Sequence, residues 1–219
     1  MRTPDYLTGA TISPDKVAWM EHHLPSQPGR VLDLGCGAGL YTRWLADRGW
    51  KVTAVDVAPA PIPGVETLRH DLETGLPFPA ASFDAVLAWD ILEHLAMDGS
   101  MWQDMARVLV PGGYLLGSVP HDGDVRLRPY NLVFKHHLDR THQREYTAAM
   151  LRERVFTAGL VEGVIEPKGP ASPKVLVEFI RWKPARHPVG WILGALRRAG
   201  LLQFGELYAD LFFTAKKPA

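Results

Sequence analysis

The sequence predicts an α/β fold, a mostly parallel β-sheet with helices on both faces. Three observations carry the prediction. First, short apolar runs ending in an acid recur along the chain, at Val31–Asp33, Val52–Asp56 and Val86–Asp90. A strand of about 4–8 residues buried on both faces has room for polar side chains only at its ends. Second, a helix-length stretch from Leu40 separates the first two runs and stops at Gly49, the spacing of a strand–helix–strand unit. Third, Gly35, Gly37 and Gly39 follow the first run at alternate positions. A turn built on residues without a Cβ lets a ligand approach the backbone. The helix that follows directs its first free N–H groups at whatever lies over the turn, which favours a carboxylate or phosphate there.

The other elements follow in order. Residues 1–13 are polar and turn-rich. Ser13-Pro14-Asp15 reads as an N-cap with proline at the first helical position, opening a helix from about Pro14 to Leu24 with Val17, Trp19, Met20 and Leu24 inward. Pro25 and Pro28-Gly29 end it, and His22 and His23 are read as surface residues. After Asp56, Pro59, Pro61 and Pro63 break any long helix, so the second crossover helix is missing or one turn long. A third strand, Val65 to Arg69 or His70, ends at Asp71. A fourth opens at Asp84 and ends at Trp89-Asp90, and a helix covers about Gly99 to Val110. Pro111-Gly112-Gly113 turns into a fifth strand, Tyr114 to Val119. Thr147 N-caps a helix, Ala148 to Ala158, that stops at Gly159. Leu160 to Glu166 is a sixth strand, Lys174 to Arg181 is a possible further one, and Asp210 to Lys216 is the last.

The glycine spacing discriminates between ligands. A pyrophosphate-binding turn needs G-x-G-x-x-G, and Leu40 stands where its third glycine would fall. The chain has G-x-G-x-G with Asp33 two residues before it. V-L-D-L-G-C-G-A-G followed by V-T-A-V-D resembles the first two motifs of the class I S-adenosylmethionine-dependent methyltransferases, of the methyltransferase type 11 kind that includes quinone-biosynthesis enzymes. The resemblance covers about Gly29 to Leu160. It implies a Rossmann-like seven-stranded sheet with an antiparallel last strand inserted at its edge. It implies that Asp33, Gly35, Gly37 and Gly39 hold the methionine half of S-adenosyl-L-methionine. Asp56 with Val57 would take the ribose side, and Asp71 with Leu72 the adenine. The run D-I-L-E-H-L resembles the family's exit from the fourth strand, which puts Trp89 and Asp90 beside the cofactor. The run H-Q-R-E-Y-T, His142 to Thr147, resembles a lid motif in which Arg144 and Tyr146 meet the substrate. The missing crossover helix departs from the family pattern and leaves open what covers the adenine edge.

Composition excludes several classes. The 219 residues are 47% apolar and 22% charged with zero net charge, an ordinary globular composition for one domain, residues 1–219. Zero net charge argues against nucleic-acid binding through bulk phosphate neutralisation. The single cysteine, Cys36, excludes an internal disulfide and fits a reducing compartment; its place in the turn reads as packing. With no apolar leader and no apolar run of about 18 residues, the expected location is cytoplasmic.

Three segments are read as additions to the sheet: an N-terminal cap at 1–28, a lid insertion at 121–146, and a basic apolar insertion at 179–205. The lid segment holds His121, His136, His137 and His142 in a spacing that matches no recognised ligand set, so no metal is expected. The stretch 179–205 has no acid and interleaves arginines with Trp182, Trp191, Ile192 and Leu193. It either packs on the protein or lies on an anionic membrane surface through 181–204. The acceptor is read as small or lipid-like, methylated at oxygen or carbon by in-line displacement. A histidine is the natural base for a hydroxyl acceptor, with His142, His121 and His94 as candidates. Two other readings stay open: a dinucleotide-dependent oxidoreductase and a non-catalytic cofactor-binding module. Oligomeric state is not readable.

Overall fold

The computed structural model describes residues 11–96, 98–121, 139–170, 183–199 and 208–219. In chain order it contains α1 (Pro14–His23), β1 (Arg30–Leu34), α2 (Leu40–Ala46), β2 (Lys51–Asp56), β3 (Glu66–Arg69), β4 (Phe83–Trp89), α3 (Asp98–Val108), β5 (Leu109–Pro120), α4 (Ala148–Thr157), β6 (Val161–Pro170), α5 (Lys183–Arg198) and β7 (Tyr208–Lys216). Two 3₁₀ turns, Leu72–Thr74 and Leu92–His94, follow β3 and β4. The expected strand at 174–181, most of the lid segment and residues 1–10 lie outside the described residues.

Seven strands form one sheet in the order β3-β2-β1-β4-β5-β7-β6. The β3, β2, β1, β4 and β5 strands run parallel, and β7 pairs antiparallel with both β5 and β6. The last strand is therefore one position in from the edge, and β6 is the edge strand. This corrects the expected placement at the rim. Chain order reverses between β1 and β4, and in an open α/β sheet ligands bind outside the carboxyl ends of the strands at such a point.

Side-chain alternation along the strands assigns the two faces. Val31, Ala85, Leu87 and Trp89 pack with Trp19 and Met20 of α1 and Leu45 of α2. Leu32, Leu34, Val86 and Ala88 pack with Trp102 and Met105 of α3 and Leu151 and Val155 of α4. Asp33 shares the parity of Val31, so it points to the α2 side. Ser13 caps α1 and Thr147 caps α4 through their side-chain oxygens. No helix occurs in 57–65, as the prolines require. Instead Ile62 is buried against the glycine turn. The α3 helix ends at Val108, two residues before the expected end, and Leu109 already pairs with Phe83 across an irregularity in the ladder.

Candidate functional site

The glycine turn leaves β1 and is folded back on β2. Gly35 and Cys36 donate their amides to the Val55 carbonyl at 2.8 and 3.1 Å, and Gly37 donates to Asp56 Oδ2 at 2.9 Å. Asp56 Oδ1 accepts from Ala58 N at 2.8 Å. The carboxylate at the tip of β2 thus sets the shape of the turn after β1, which ties the two motifs together. Gly35, Gly37 and Gly39 all have positive φ, at 67°, 50° and 73°. A Cβ on Gly35 would lie 2.7 Å from Ile91 Cγ1, and one on Gly39 would lie 2.2 Å from Ile62 Cδ1. Both the backbone angle and the space therefore require glycine.

Asp33 is only 3% exposed and accepts a hydrogen bond from Thr42 Oγ1 of α2. Burial pushes its carboxyl up to about 6; the Thr42 bond opposes that shift and nearby Asp56 adds to it. Burial pushes the Cys36 thiol up to about 12, with Asp33 and Asp56 adding, so it is no nucleophile at neutral pH. Val57 is 54% exposed beside Asp56, an apolar side chain presented to the open edge. Asp71 caps the turn after β3 by accepting from Glu73 N, while Leu72 is buried.

At the end of β4 the structure departs from the reading of the sequence. The Trp89 ring is buried in the α1-side core near Trp19, Phe212 and Tyr41, not laid over the sheet edge. Asp90 has a left-handed backbone, φ 49°, uncommon for a side-chain-bearing residue and tolerated best by Asp and Asn. Its carboxylate accepts from Ser118 Oγ and from Lys16 Nζ of α1. Lys16 is buried. That burial opposes its charge, but Asp90 and Asp210 outweigh it and hold its pKa above the ordinary value. Burial and the neighbouring Asp90 push the carboxyls of Glu93 and Asp210 upward. Lys16, Ser118, Thr42 and Asp210 were missed in the sequence. For Lys16 a signal existed, because it stands three and four residues before the inward-facing Trp19 and Met20.

The candidate histidines divide. His94 and His142 meet with ring centroids 4.7 Å apart, beside Glu93. His121, at the end of β5, instead forms a parallel bridge with Tyr146. Tyr146 is buried in the core, so its ring does not face the open edge. Arg144 Nη2 donates to the Leu95 and Ala96 carbonyls at 2.7 Å each, which pins the segment before α4 to the exit of β4.

Residues 32–117 match the family model described as a methyltransferase domain. Over that stretch the chain is similar to a methyltransferase domain. The chain is 33% identical over 121 residues to a ubiquinone biosynthesis O-methyltransferase from Paracidovorax citrulli, covering 49% of this chain and 50% of the relative. The chain spans about half the length of the curated relatives it matches. The fold of the domain is that of an S-adenosylmethionine-dependent methyltransferase from Mesorhizobium loti (TM-score 0.64, 19% identity, 96% of this chain and 100% of that one). It is likewise that of the 1,6-didemethyltoxoflavin-N1-methyltransferase of Burkholderia thailandensis, solved with S-adenosylhomocysteine (TM-score 0.60, 20% identity, 94% and 78%). The residues fit S-adenosylmethionine. The turn is bare backbone between Ile91 and Ile62, with no room for a side chain at Gly35 or Gly39, and Asp33 and Asp56 stand near the ends of the adjacent strands β1 and β2.

Proposed function

We propose that this chain transfers a methyl group from S-adenosylmethionine to oxygen or carbon of a small-molecule or lipid-like acceptor. The observation that carries the reading is the cradle in which Asp56 fixes the Gly37 amide while the buried Asp33 stands in β1 just before the same turn. In this reading Asp33 with Gly35, Gly37 and Gly39 receives the amino-acid half of the cofactor. Asp56 receives the ribose, and Val57, Asp71 and Leu72 border the adenine. Asp90 holds the exit of β4 in place, and Trp89 supports it from below. Cofactor, cap and lid work as one domain over 1–219.

The sulfonium supplies an activated methyl whose positive charge vanishes in the transfer. The protein's share is alignment, and orientation of this kind carries much of a rate enhancement. A hydroxyl acceptor must also lose a proton. His121 at the end of β5 and the pair His94 and His142 are the groups at hand to take it. Arg144 acts on the acceptor indirectly, by holding the lid segment. Exposed Trp191 and Ile192 on α5, with Arg198 on the same helix, favour a peripheral contact of 181–204 with an anionic membrane. Among the described residues no helix is long and apolar enough to cross one.

Isothermal titration with S-adenosylmethionine, S-adenosylhomocysteine and NADH tests the cofactor. Saturable binding of the first two and none of the third is expected; binding of NADH alone would replace this reading with the oxidoreductase one. Methyl-labelled cofactor incubated with cell extracts and followed by mass spectrometry identifies the acceptor, and binding without any labelled product would mark a non-catalytic module. Equal co-sedimentation with anionic and neutral vesicles would remove the membrane contact.

A further inference from the structure

We propose that Glu93, His94 and His142 form a binding site for one divalent transition-metal cation at the exit of β4. The inference deepens the methyltransferase reading and rests on it for its role. One ligand atom from each of the three side chains lies within 4.8 Å of the others. In a filled site with bonds of about 2.0–2.2 Å the donors stand roughly 3–3.5 Å apart, so small side-chain rotations close the gap.

Three further observations point to a cation rather than to a packed histidine pair. Glu93 is 1% exposed, and its Oε2 has no hydrogen-bond partner among the described residues. Leaving a buried carboxylate oxygen without a partner is costly, and a cation supplies one.

The tautomer of His94 is also set for ligation. Thr141 Oγ1 donates its only proton to Asp139 Oδ1 at 2.7 Å and lies 2.9 Å from His94 Nδ1. Toward the imidazole it can therefore only accept, so Nδ1 carries the proton and Nε2 keeps its lone pair. A ligating histidine whose other ring N–H is held by an acceptor recurs at metal centres.

The two halves of the site, 48 residues apart in sequence, are held together by bonds that use none of the ligand atoms. Gln143 N donates to the Glu93 carbonyl at 2.7 Å, and Arg144 bonds to the Leu95 and Ala96 carbonyls.

Two imidazoles and one carboxylate suit zinc, manganese, iron or cobalt. Three protein ligands leave a coordination position open, as catalytic sites do and structural ones do not. An acceptor hydroxyl filling that position ionises near neutral pH. With His94 and His142 engaged as ligands, the hydroxyl proton would pass to solvent in place of a histidine base, the oxygen would bond to the methyl carbon, and the departing sulfur would keep the electron pair of the broken carbon–sulfur bond. The preferred acceptors are then compounds whose hydroxyl can reach both the cation and the cofactor methyl.

The test uses full-length protein stripped with a chelator and dialysed. Titration with Zn²⁺ and Mn²⁺ by calorimetry should give one saturable site, weakened at least about 10-fold in Glu93→Gln, His94→Ala and His142→Ala. The exposed His22→Ala should leave it unchanged. With Cu²⁺ as a probe, electron paramagnetic resonance should show coupling to imidazole nitrogen that diminishes in each histidine variant. S-adenosylhomocysteine titration of the same samples reports folding and cofactor binding separately. Variants that bind S-adenosylhomocysteine normally but have lost the metal support the site. Absence of a 1:1 site in stripped wild type, or metal binding that survives all three substitutions, overturns it. Metal binding without cofactor binding would sustain the site and reject the methyltransferase role.

Discussion

Asp33 makes stability and cofactor binding pull in opposite directions with pH. Its carboxyl titrates at about 6 in the fold, against an ordinary value of 3.8, because it is buried. The folded pKa is the higher one. Asp33 therefore adds most to stability below 3.8, and that contribution is lost as pH rises through about 6. At 1.36 kcal/mol per pH unit the full loss is about 3 kcal/mol, of which about 1.4 kcal/mol falls between about pH 5 and pH 7.5. In Asp33→Asn this titration is absent. Urea unfolding at the two pH values should show the variant gaining about 1.4 kcal/mol on the wild type at the higher one. Cofactor binding should run the other way, because a cationic ligand binds the ionised carboxylate. Wild-type affinity for S-adenosylmethionine at pH 5 should then be about 10-fold weaker than at pH 7.5, while the variant binds weakly and without that slope. A wild-type affinity flat across this range, or a stability difference between the two proteins that does not change with pH, would refute the assignment of Asp33 as the buried acid of the cradle.

Other perturbations test the remaining supports. Gly39→Ala puts a side chain at φ 73° and against Ile62; a loss of about 1–2 kcal/mol is expected by urea unfolding, with a larger effect on cofactor affinity than Gly99→Ala produces. Lys16→Met removes the buried ammonium that Asp90 accepts from. It should lower stability by about 1–2 kcal/mol and speed hydrogen exchange in α1, and unchanged exchange there would deny the tie. Arg144→Ala deletes two charge-assisted bonds to main-chain carbonyls. Its cost of about 2 kcal/mol should appear as a lower melting temperature whether or not acceptor is present, whereas an effect confined to acceptor KM would make it a substrate contact.

The parts of the site that could be read from the sequence are those built from neighbours in the chain. The turn from Gly35 to Gly39, the helix-breaking prolines 59, 61 and 63, and the caps Ser13 and Thr147 each act within a few residues, so their spacing carries their geometry. Asp56 was legible as a strand-end acid, although its bond to the Gly37 amide was not. What the sequence hid depends on distant segments meeting. Lys16 and Asp90 are 74 positions apart, and His94 and His142 belong to segments that only the stacking of β4, β5 and α4 brings together. Read along the chain, the histidines showed no recognised ligand spacing, and the closeness of His142 to Glu93 and His94 appears only in the fold. Trp89 was expected over the open edge because it ends a strand. Strand alternation decides its side instead, and Ala85, Leu87 and Trp89 share the α1 face. The same alternation explains the inset of β7. Its Phe212 and Phe213 are buried on opposite faces, as suits a strand paired on both sides and covered on both faces.

The buried ammonium of Lys16 has a mechanical corollary. The first helix is bolted to the tip of the central strand by a charge that water would otherwise reclaim, and Asp90 loses a counterion if the bolt is drawn. Swinging that helix outward is therefore the uphill route for a ligand entering or leaving. The span from 57 to 65 on the other side has no helix to unseat and rests on the glycine turn through Ile62, so no buried charge has to be separated to displace it.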